Sequence, residues 1–361
     1  MQKIKMGVIG TGMAWERLHY PAIEVLNDKY QVVAVCDKKR QKAEKAGRSL
    51  GLDNDSIYTN HIEMLKRDDL DVVDIAVPIS QNYNISVDVA KAGKNIICEK
   101  PLASNIGDAI RYIELPKEYG VAVMIAENYR YNEENNKIRE LIEEGRIGDI
   151  VYFIMNDISC FPCEMTKDTF YSKEWRQHPD FRGGNFLDSA LHNLAALHHI
   201  FGGVDKVFAF GKEQKDDFSP YMYISANLRF KNNVIGHYSY FPNGKEGQKP
   251  LLGFRIFGQK GMIYLEERTC GIINIVYNNG RSEQIPYTPK RGYYNEFLNF
   301  YNALIGKESI SVTPEIEFGD VELVFDILDS IEENRVNRVD TWSPNYQVPQ
   351  SEESKIIHRY H

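Results

Sequence analysis

The sequence lacks any long apolar run. None of its hydrophobic stretches approaches the roughly 18 residues that a membrane-spanning helix needs. The apolar run in the first segment, MQKIKMGVIG, is too short for the core of a signal peptide, and no small-residue cleavage site follows it. We therefore expect a cytoplasmic protein.

Positive charge is also in short supply. The chain carries 43 Lys and Arg against 51 Asp and Glu, which gives a formal net charge of −8. The basic residues are scattered and form no patch of the kind that binds nucleic acid. An acidic balance likewise disfavours anionic lipid surfaces. The sequence thus predicts neither a nucleic-acid partner nor a membrane partner.

Cysteine is scarce, with five residues in 361. Cys36 and Cys98 lie in apolar, strand-like runs, where a small buried thiol is common. Cys160 and Cys163 have the C-x-x-C spacing, but no second pair or nearby histidine pair completes four zinc ligands. The pair also lacks the strand-then-helix context of a thioredoxin-like motif. We expect two reduced loop cysteines and no metal site.

What the chain does have is a regular alternation of strands and helices in its first third. The predicted strands are Lys5–Ile9, Gln31–Cys36, Val72–Val77, Asn95–Cys98 and Val121–Ala126. The predicted helices between them are Ala22–Asp28, Lys39–Leu50, Asn84–Ala92 and Ile106–Glu118. Strands without polar alternation are typical of burial on both faces. The pattern predicts an α/β fold with a doubly wound parallel sheet.

A glycine turn, Gly10-Thr11-Gly12, directly follows the first predicted strand. Such a turn lets backbone N–H groups approach a pyrophosphate, and the next helix offers its positive end. The third glycine of the dinucleotide motif is replaced by Trp15. A shortened motif also fits a purely structural turn, so the turn alone does not distinguish a dinucleotide site from a structural turn.

Asp37 favours a dinucleotide-binding turn over a purely structural one. It ends the second predicted strand, where an acid holds the adenosine ribose hydroxyls. A carboxylate at this place repels a 2′-phosphate, so NAD is favoured and NADP is less favoured. Lys38, Lys39 and Arg40 follow at once. They fit either a phosphate contact or the start of a solvated helix.

Several motifs then occur in one order along most of the chain. They are His19-Tyr20-Pro21-Ala22, Cys98-Glu99-Lys100-Pro101-Leu102, Glu127-Asn128-Tyr129-Arg130, Gly145-Arg146-Ile147-Gly148-Asp149 and Asp188-x-x-x-His192. With them the chain resembles the glucose–fructose oxidoreductase and inositol dehydrogenase family, written Gfo/Idh/MocA. The sequence departs from the family pattern at Trp15, at Asn82 in place of a histidine, and at Ala190 in place of a glycine.

The resemblance implies a Rossmann NAD-binding domain over residues 1–126. It also implies an α+β domain over 127–361, which binds substrate and assembles homodimers or homotetramers through a large, mostly antiparallel, open-faced sheet. Cofactor contacts are then expected from Gly10, Thr11, Gly12, Met13, Ala14, Asp37, Lys38, Pro78, Asn82, Glu99 and Asn128. The implied activity is that of an NAD-dependent dehydrogenase acting on a sugar, cyclic polyol or related alcohol.

Paired apolar runs around Asn and Gly turns predict hairpins after residue 150. The runs are Tyr221–Phe230 with Val234–Phe241, Phe254–Phe257 with Met262–Glu266, and Ile272–Tyr277 with Gln284–Tyr287. Helices are predicted near 135–144, 185–201, 291–305 and 316–334. The open face is expected to carry Tyr221, Tyr223, Tyr238, Tyr240, Phe254 and Tyr264 as an interface. Packing of some of these rings inside a monomer is the alternative.

The proposed chemistry depends on Lys100, Asp188 and His192. Oxidising an alcohol requires a base near neutral pKa, which favours His192. Asp188 lies four residues earlier in a helix-like run and would orient the imidazole or contact substrate hydroxyls. Lys100 follows a strand at the carboxyl edge of the sheet, where its ammonium can stabilise alkoxide charge. A metal held by Asp188 and His192 lacks an evident third ligand.

Substrate contacts are expected from Arg130, Trp175 and Arg176, the last two in the long segment Ser159–Gly184. Long loops of this kind often cover an active site, although a surface excursion is the simpler alternative. Two other functions stay open. One is a glycosidase of the same family that uses NAD without net redox. The other is a dinucleotide-binding regulator without turnover. Such a regulator would need none of the three catalytic candidates, so their presence argues against it.

Overall fold

The computed structural model describes residues 3–244 and 252–339. Contacts within the chain divide these residues into two compact units. The first consists of residues 3–128 together with Tyr293–Phe318, and the second of residues 129–292 together with 319–339, apart from the undescribed segment.

The first unit is built on a six-stranded sheet. Its strands are β1 (Ile4–Ile9), β2 (Tyr30–Cys36), β3 (Ile57–Tyr58), β4 (Val72–Ile75), β5 (Asn95–Glu99) and β6 (Val123–Ala126). The order across the sheet is β3-β2-β1-β4-β5-β6, and every neighbouring pair is parallel. This is the strand order of a Rossmann fold. It confirms the predicted doubly wound sheet, including the five strands predicted from apolar runs.

Helices connect these strands. They are α1 (Tyr20–Val25), which a π-helical turn at Trp15–His19 precedes, α2 (Arg40–Ser49), α3 (His61–Leu65), α4 (Ile79–Lys91), α5 (Ile106–Ile113) and α6 (Leu115–Tyr119). A short 3-10 turn also spans Asn54–Ser56. The strands β4 and β6 are buried at all of their residues. Their burial on both faces explains why they show no polar alternation.

The second unit is built on a nine-stranded sheet. Its strands are β7 (Ile150–Ile158), β8 (Val204–Glu213), β9 (Tyr221–Phe230), β10 (Ile235–Phe241), β11 (Leu252–Gly258), β12 (Gly261–Leu265), β13 (Ile272–Tyr277), β14 (Ser282–Pro286) and β15 (Asn337–Arg338). Their order is β14-β13-β12-β11-β7-β10-β9-β8-β15. The three predicted hairpins are present as antiparallel pairs, and only β7 with β10 is parallel.

The remaining helices are α7 (Glu133–Glu143), α8 (Phe161–Glu164), α9 (Glu174–Gln177), α10 (Leu191–Phe201), α11 (Gly292–Leu304) and α12 (Pro314–Glu333). Short 3-10 turns also span Asn128–Arg130 and Phe170–Ser172. A π-helical turn at Phe186–Ala190 leads into α10. The ring of Phe201 on α10 stacks on Phe153 of β7, with centroids 5.0 Å apart. The helix α10 therefore covers one face of the nine-stranded sheet, which is the inner face.

The predicted aromatic surface of this sheet is wrong in four of its six positions. Tyr221, Tyr238, Tyr240 and Phe254 are buried. Phe254, for example, packs edge-on against Phe153 and Phe201. The alternative of packing inside the monomer therefore holds for these rings. The outer face exposes a different apolar set, which includes Tyr152, Phe210, Ile235, Ile272 and Val276.

The cysteine prediction is also wrong for one pair. Cys160 and Cys163 form a disulfide, and they are not two reduced thiols. The strand β7 ends at Ile158 and α8 begins at Phe161, so the pair does open a short helix after a strand. Phe161 anchors this helix, because its ring stacks on Phe218 at 4.4 Å. Cys36 and Cys98 are free and buried, as predicted.

Within residues 3–244 and 252–339, no helix has both the length and the apolar character needed to cross a bilayer. The same described residues contain no group of three or more His, Cys, Asp and Glu side chains arranged to hold a metal ion.

Candidate active site

The glycine turn follows β1 at the carboxyl edge of the parallel sheet. Gly10 has φ +93°, and a Cβ added there would lie 2.2 Å from the carbonyl oxygen of Ala76, which follows β4. Only glycine can bring the two backbones this close. Strands β1 and β4 are neighbours at the point where the strand order reverses, which is where ligands bind in open α/β sheets.

Asp37 closes the other side of this turn. One carboxylate oxygen accepts hydrogen bonds from the Thr11 N–H at 3.0 Å and the Thr11 hydroxyl at 3.3 Å. The other oxygen accepts from the Lys39 N–H at 2.8 Å. The acid predicted at the end of β2 is thus fixed against the glycine turn, with its charge at the same sheet edge.

The residues around the glycine turn differ in burial and in charge. Met13 and Ala14 are half-buried, and Lys38 is exposed. The Nζ of Lys42 lies 3.8 Å from the place that a Cβ on Gly12 would take. Trp15, at the position of the missing third glycine, is buried and packs on Tyr20 with centroids 5.6 Å apart. Lys42, a basic residue that was not predicted from the sequence to belong to the site, therefore lies beside the turn.

The Glu99-Lys100-Pro101 segment follows β5 at the same edge. Asn82 on α4 is fully buried, and its amide donates 2.8 Å hydrogen bonds to the carbonyls of Glu99 and Pro101. This predicted cofactor ligand therefore holds the backbone on either side of Lys100, which is itself buried. Pro78, at the start of α4, is exposed, and Asn128 is buried after β6.

His19 is a site residue to which the sequence analysis gave no role. Its ring is fully buried, with Nδ1 2.9 Å from a carboxylate oxygen of Asp74 and Nε2 3.1 Å from one of Glu99. The second carboxylate oxygen of Glu99 accepts from the Lys100 N–H at 3.1 Å. The run His19-Tyr20-Pro21-Ala22 marked the position, but Asp74 and Glu99 are too distant in sequence to be predicted as partners.

In the second unit, Asp188 lies in the π-helical turn before α10 and is buried. Arg176 donates to it from Nε at 2.5 Å and from Nη2 at 3.3 Å. The guanidinium also lies over the Trp175 ring, 4.3 Å from its centroid. Arg176, which is predicted to bind substrate, thus binds the predicted catalytic acid directly, and Trp175 contacts this arginine.

His192, four residues after Asp188, is half-buried at the start of α10. Its ring stacks on Tyr129, with centroids 4.4 Å apart and planes inclined by 20°. The guanidinium carbon of Arg268 lies 3.9 Å from the centroid of the same Tyr129 ring. Neither Tyr129 nor Arg268 was predicted as a site residue, although Tyr129 lies within the Glu127–Arg130 motif.

Asp157 of β7 is a further acid in this region. It accepts from Asn193 at 2.6 Å and from the Tyr238 hydroxyl at 2.9 Å. Burial raises the pKa of its carboxyl above the ordinary range, although these hydrogen bonds and the charge of Arg268 oppose the rise. The region around His192 therefore combines acids, a guanidinium and tyrosines, which are groups that can hydrogen-bond a hydroxylated ligand.

Arg130, a predicted substrate contact, has a partner within the second unit. Its guanidinium is buried and donates to both carboxylate oxygens of Asp320, at 2.6 to 2.9 Å. His198 also contacts Asp320, at 2.6 Å. This ion pair holds the Arg130 guanidinium inside the second unit, and its contact with substrate stays a prediction.

The predicted catalytic residues are distributed over both units. Lys100 belongs to the first unit, and Asp188 and His192 belong to the second. The structure places the last two one helical turn apart, while their meeting with Lys100 stays a prediction.

Comparison with known proteins then decides the family. A model described as the oxidoreductase family with an NAD-binding Rossmann fold matches residues 4–127, and the Gfo/Idh/MocA C-terminal domain matches residues 135–264. The chain belongs to the Gfo/Idh/MocA family of oxidoreductases. The resemblance drawn from the sequence motifs is thereby confirmed, and with it an oxidoreductase that carries an NAD-binding Rossmann domain.

Relatives and solved structures extend this result. A myo-inositol 2-dehydrogenase of Thermotoga maritima is 24% identical over 73% of this chain and 75% of its own. The crystal structure of an oxidoreductase from the same organism is 26% identical with a TM-score of 0.82, covering 94% of this chain and 99% of the other. A levoglucosan dehydrogenase in complex with NADH gives a TM-score of 0.82 at 20% identity, covering 94% and 100%.

Proposed function

We propose that this chain is an NAD-dependent dehydrogenase that transfers a hydride between nicotinamide C4 and a secondary alcohol, or its ketone, of a sugar or cyclic polyol. The observation that carries the proposal is the arrangement at the carboxyl edge of the six-stranded sheet. The glycine turn, Asp37 and the Glu99-Lys100-Pro101 segment follow β1, β2 and β5 there. Residues 1–126 then hold the dinucleotide, and residues 127–361 supply the substrate side.

The residues present fit a bound dinucleotide. The close approach of Gly10 to Ala76 leaves the turn without a side chain, so a pyrophosphate can reach the backbone. Lys42 beside Gly12 adds positive charge. Gly10, Thr11, Gly12, Met13 and Ala14 would form the phosphate side. The remaining expected contacts are Asp37, Lys38, Pro78, Glu99 and Asn128, with Asn82 acting through the backbone that it binds.

When bound, the cofactor supplies the hydride acceptor or donor. In the oxidising direction, His192 accepts the hydroxyl proton, and the Lys100 ammonium donates a hydrogen bond to the same oxygen and stabilises its developing negative charge. Asp188, held by Arg176, orients His192 or the substrate's hydroxyls. Arg176 binds Asp188 and lies over the Trp175 ring, so this segment would also select the substrate.

The substrate class is supported by the relatives and by the second unit. The named relatives act on myo-inositol and levoglucosan, which are hydroxyl-rich rings. Asp157, Arg268 and Tyr129 near His192 supply the acceptors, donors and aromatic face that such rings need.

Asp37 supports NAD over NADP. Both of its oxygens are fixed by hydrogen bonds, so its charge cannot rotate away from a 2′-phosphate. We expect Asp37→Asn to raise the ratio of kcat/KM for NADP to that for NAD by at least about tenfold, since like charges repel strongly at short range. Asp53→Asn, an exposed acid on the same unit, is the control. An unchanged ratio in Asp37→Asn would remove Asp37 from cofactor selection.

We also propose that the outer face of the nine-stranded sheet joins copies of this chain into dimers or tetramers. Ile235 is 51% exposed on this face and lines one groove with Tyr152 and Phe208, and Phe210 is 57% exposed beside Phe208, which is unusual for large apolar side chains. Light scattering should give a dimer or tetramer mass for the wild type and a lower mass for Ile235→Glu. A monomeric wild type would reject the interface.

The dehydrogenase itself is tested with a panel of sugars and polyols and either NAD or NADP, following the absorbance of the reduced cofactor. Lys100→Ala and His192→Ala should bind NADH as the wild type does and lose turnover, while the exposed Lys45→Ala should keep it. Wild-type turnover in both site variants would reject the roles assigned to them. Cleavage of a glycoside without accumulation of reduced cofactor would favour the glycosidase, and dinucleotide binding without any turnover would favour the regulator.

A further inference from the structure

The ring of His19 is buried between two acids of the first unit. Its Nδ1 lies 2.9 Å from Asp74 of β4, and its Nε2 lies 3.1 Å from Glu99 of β5. The Phe297 ring of α11 packs edge-on against it at 5.1 Å, so water has no access to the imidazole on that side. The relative exposure of His19 is 0%.

The geometry dictates the protonation state of this ring. An ionised carboxylate can only accept hydrogen bonds, whereas a neutral imidazole has one donor and one acceptor nitrogen. Two flanking carboxylates are satisfied together only when both ring nitrogens carry a proton. Burial opposes this positive charge, but the attraction and hydrogen bonds of Asp74 and Glu99 outweigh burial and raise the pKa of His19 well above its ordinary value.

A third acid, Glu296 of α11, also faces this group. Its two carboxyl oxygens are buried and have no hydrogen-bond partner. Burial raises the pKa of Glu296 well above its ordinary range, even though the charge of His19 opposes the rise. Glu296 makes no hydrogen bond to this group, and His19 stays paired with Asp74 and Glu99.

Glu99 connects this charge to Lys100. One of its carboxylate oxygens contacts His19, and the other accepts the backbone N–H of Lys100 at 3.1 Å. The Glu99 carbonyl is held in turn by the amide of Asn82. A carboxylate fixed at both oxygens has one orientation, and so has the peptide that it binds.

We propose that His19 is a permanently protonated positioning residue, which holds Glu99 ionised and oriented and thereby fixes the peptide that carries Lys100. His19 acts through Glu99 and does not touch substrate. The part that concerns turnover rests on the proposed function of Lys100. The charge state and the position of the Lys100 peptide do not depend on it.

The charge state is tested on the wild-type chain with ¹⁵N-labelled histidine rings, and the spectrum of His19→Gln assigns the signal. Between about pH 6 and 9, where an ordinary histidine loses its proton, both His19 nitrogens should stay protonated. A neutral tautomer near pH 7 would overturn the proposal. Because this measurement uses the wild type, it stands even if His19→Gln folds poorly.

The positioning role is tested by the amide resonance of Lys100 and by kinetics. In Asp74→Asn and His19→Gln, the Lys100 amide proton should lose the downfield shift of a carboxylate-bound N–H, and kcat should fall by at least about tenfold with the Kd for NADH changed less than about threefold. The control is His61→Gln, a histidine paired with Asp88 on the same unit, which should alter neither readout.

An unchanged amide shift and an unchanged kcat in both His19→Gln and Asp74→Asn would overturn the positioning role. Equal losses of kcat, NADH affinity and stability would do so as well, because they would show a purely structural residue. If the wild type has no turnover, the proposed dehydrogenase fails, whereas the ring nitrogens and the Lys100 amide still decide the role of His19.

Discussion

Replacing Gly10 by alanine should lower the free energy of unfolding and weaken dinucleotide binding. The loss of stability has two parts, one from the backbone conformation and one from a steric clash. Gly10 has φ +93°, which disfavours any residue with a Cβ by about 1 kcal/mol. The added Cβ would also lie 2.2 Å from the carbonyl oxygen of Ala76. That oxygen belongs to the backbone, so it cannot rotate away, and the turn and the segment after β4 must move apart.

Overpacking of this kind typically costs about 1–3 kcal/mol. We therefore expect Gly10→Ala to lower the free energy of unfolding by about 2–4 kcal/mol. The control is Gly93→Ala. Gly93 has φ +68° and nothing within 4 Å of the added Cβ, so only the backbone part, about 1 kcal/mol, should be lost.

Urea unfolding measures both stabilities, and quenching of protein fluorescence by NADH measures binding. Gly10→Ala should bind NADH at least about tenfold more weakly, because the turn that approaches the pyrophosphate is displaced. Gly93→Ala should bind as the wild type does. Equal stability losses in the two variants, with unchanged binding, would refute the close approach of Gly10 and Ala76.

Three further results are expected. Arg176→Ala should lower the free energy of unfolding in urea by about 3 kcal/mol, because it leaves the buried Asp188 without its partner. Arg139→Ala, at an exposed ion pair, should lower it by less than about 1 kcal/mol. Equal losses in the two variants would contradict a stabilising ion pair between Arg176 and Asp188. Thiol titration of the denatured, unreduced chain should find three reactive cysteines, and five after reduction; five before reduction would exclude the disulfide. Burial lowers the pKa of His199 to about 3, so the unfolded chain binds the extra proton below about pH 6.5 and stability should fall by about 1–2 kcal/mol from pH 6.5 to 5. His199→Gln should flatten this decline, and an unchanged slope would contradict a neutral ring at this position.

The first unit was largely predictable because its signals are local. Each strand of the parallel sheet is a short apolar run, and Gly10 and Asp37 follow directly after two of these strands. The strand β3 escaped prediction because it has only two residues, Ile57–Tyr58. It is a strand through its pairing with β2, which no local pattern records.

The second unit was predictable only where strands are joined by short turns. The hairpins around Asn and Gly turns are correct, whereas β7 was missed. It lies between β10 and β11, so that Tyr152 pairs with Ile235 and Met155 with Phe254. Such distant partners leave no turn signal nearby. The prediction of an exposed aromatic face was wrong because the pattern of a strand does not indicate which face of the sheet a helix covers.

The site shows the same division. The sequence motifs marked Lys100, Asp188 and His192 by residue type and order. The partners that surround them come from far along the chain. His19 meets Asp74 and Glu99 across 55 and 80 residues. Tyr129 and Arg268, which pack together beside His192, are likewise distant in sequence. Their roles follow from folding and could not be derived from spacing.

The central claim is that this chain moves a hydride from a hydroxyl-bearing carbon to nicotinamide. The most direct test uses a sugar or polyol turned over by the wild type, deuterated at the reacting carbon, with mass spectrometry of the cofactor. The account predicts that the reduced cofactor carries one deuterium and that its formation stops in Lys100→Ala and His192→Ala. Product formed without a labelled cofactor, or labelling that persists in both variants, would contradict it.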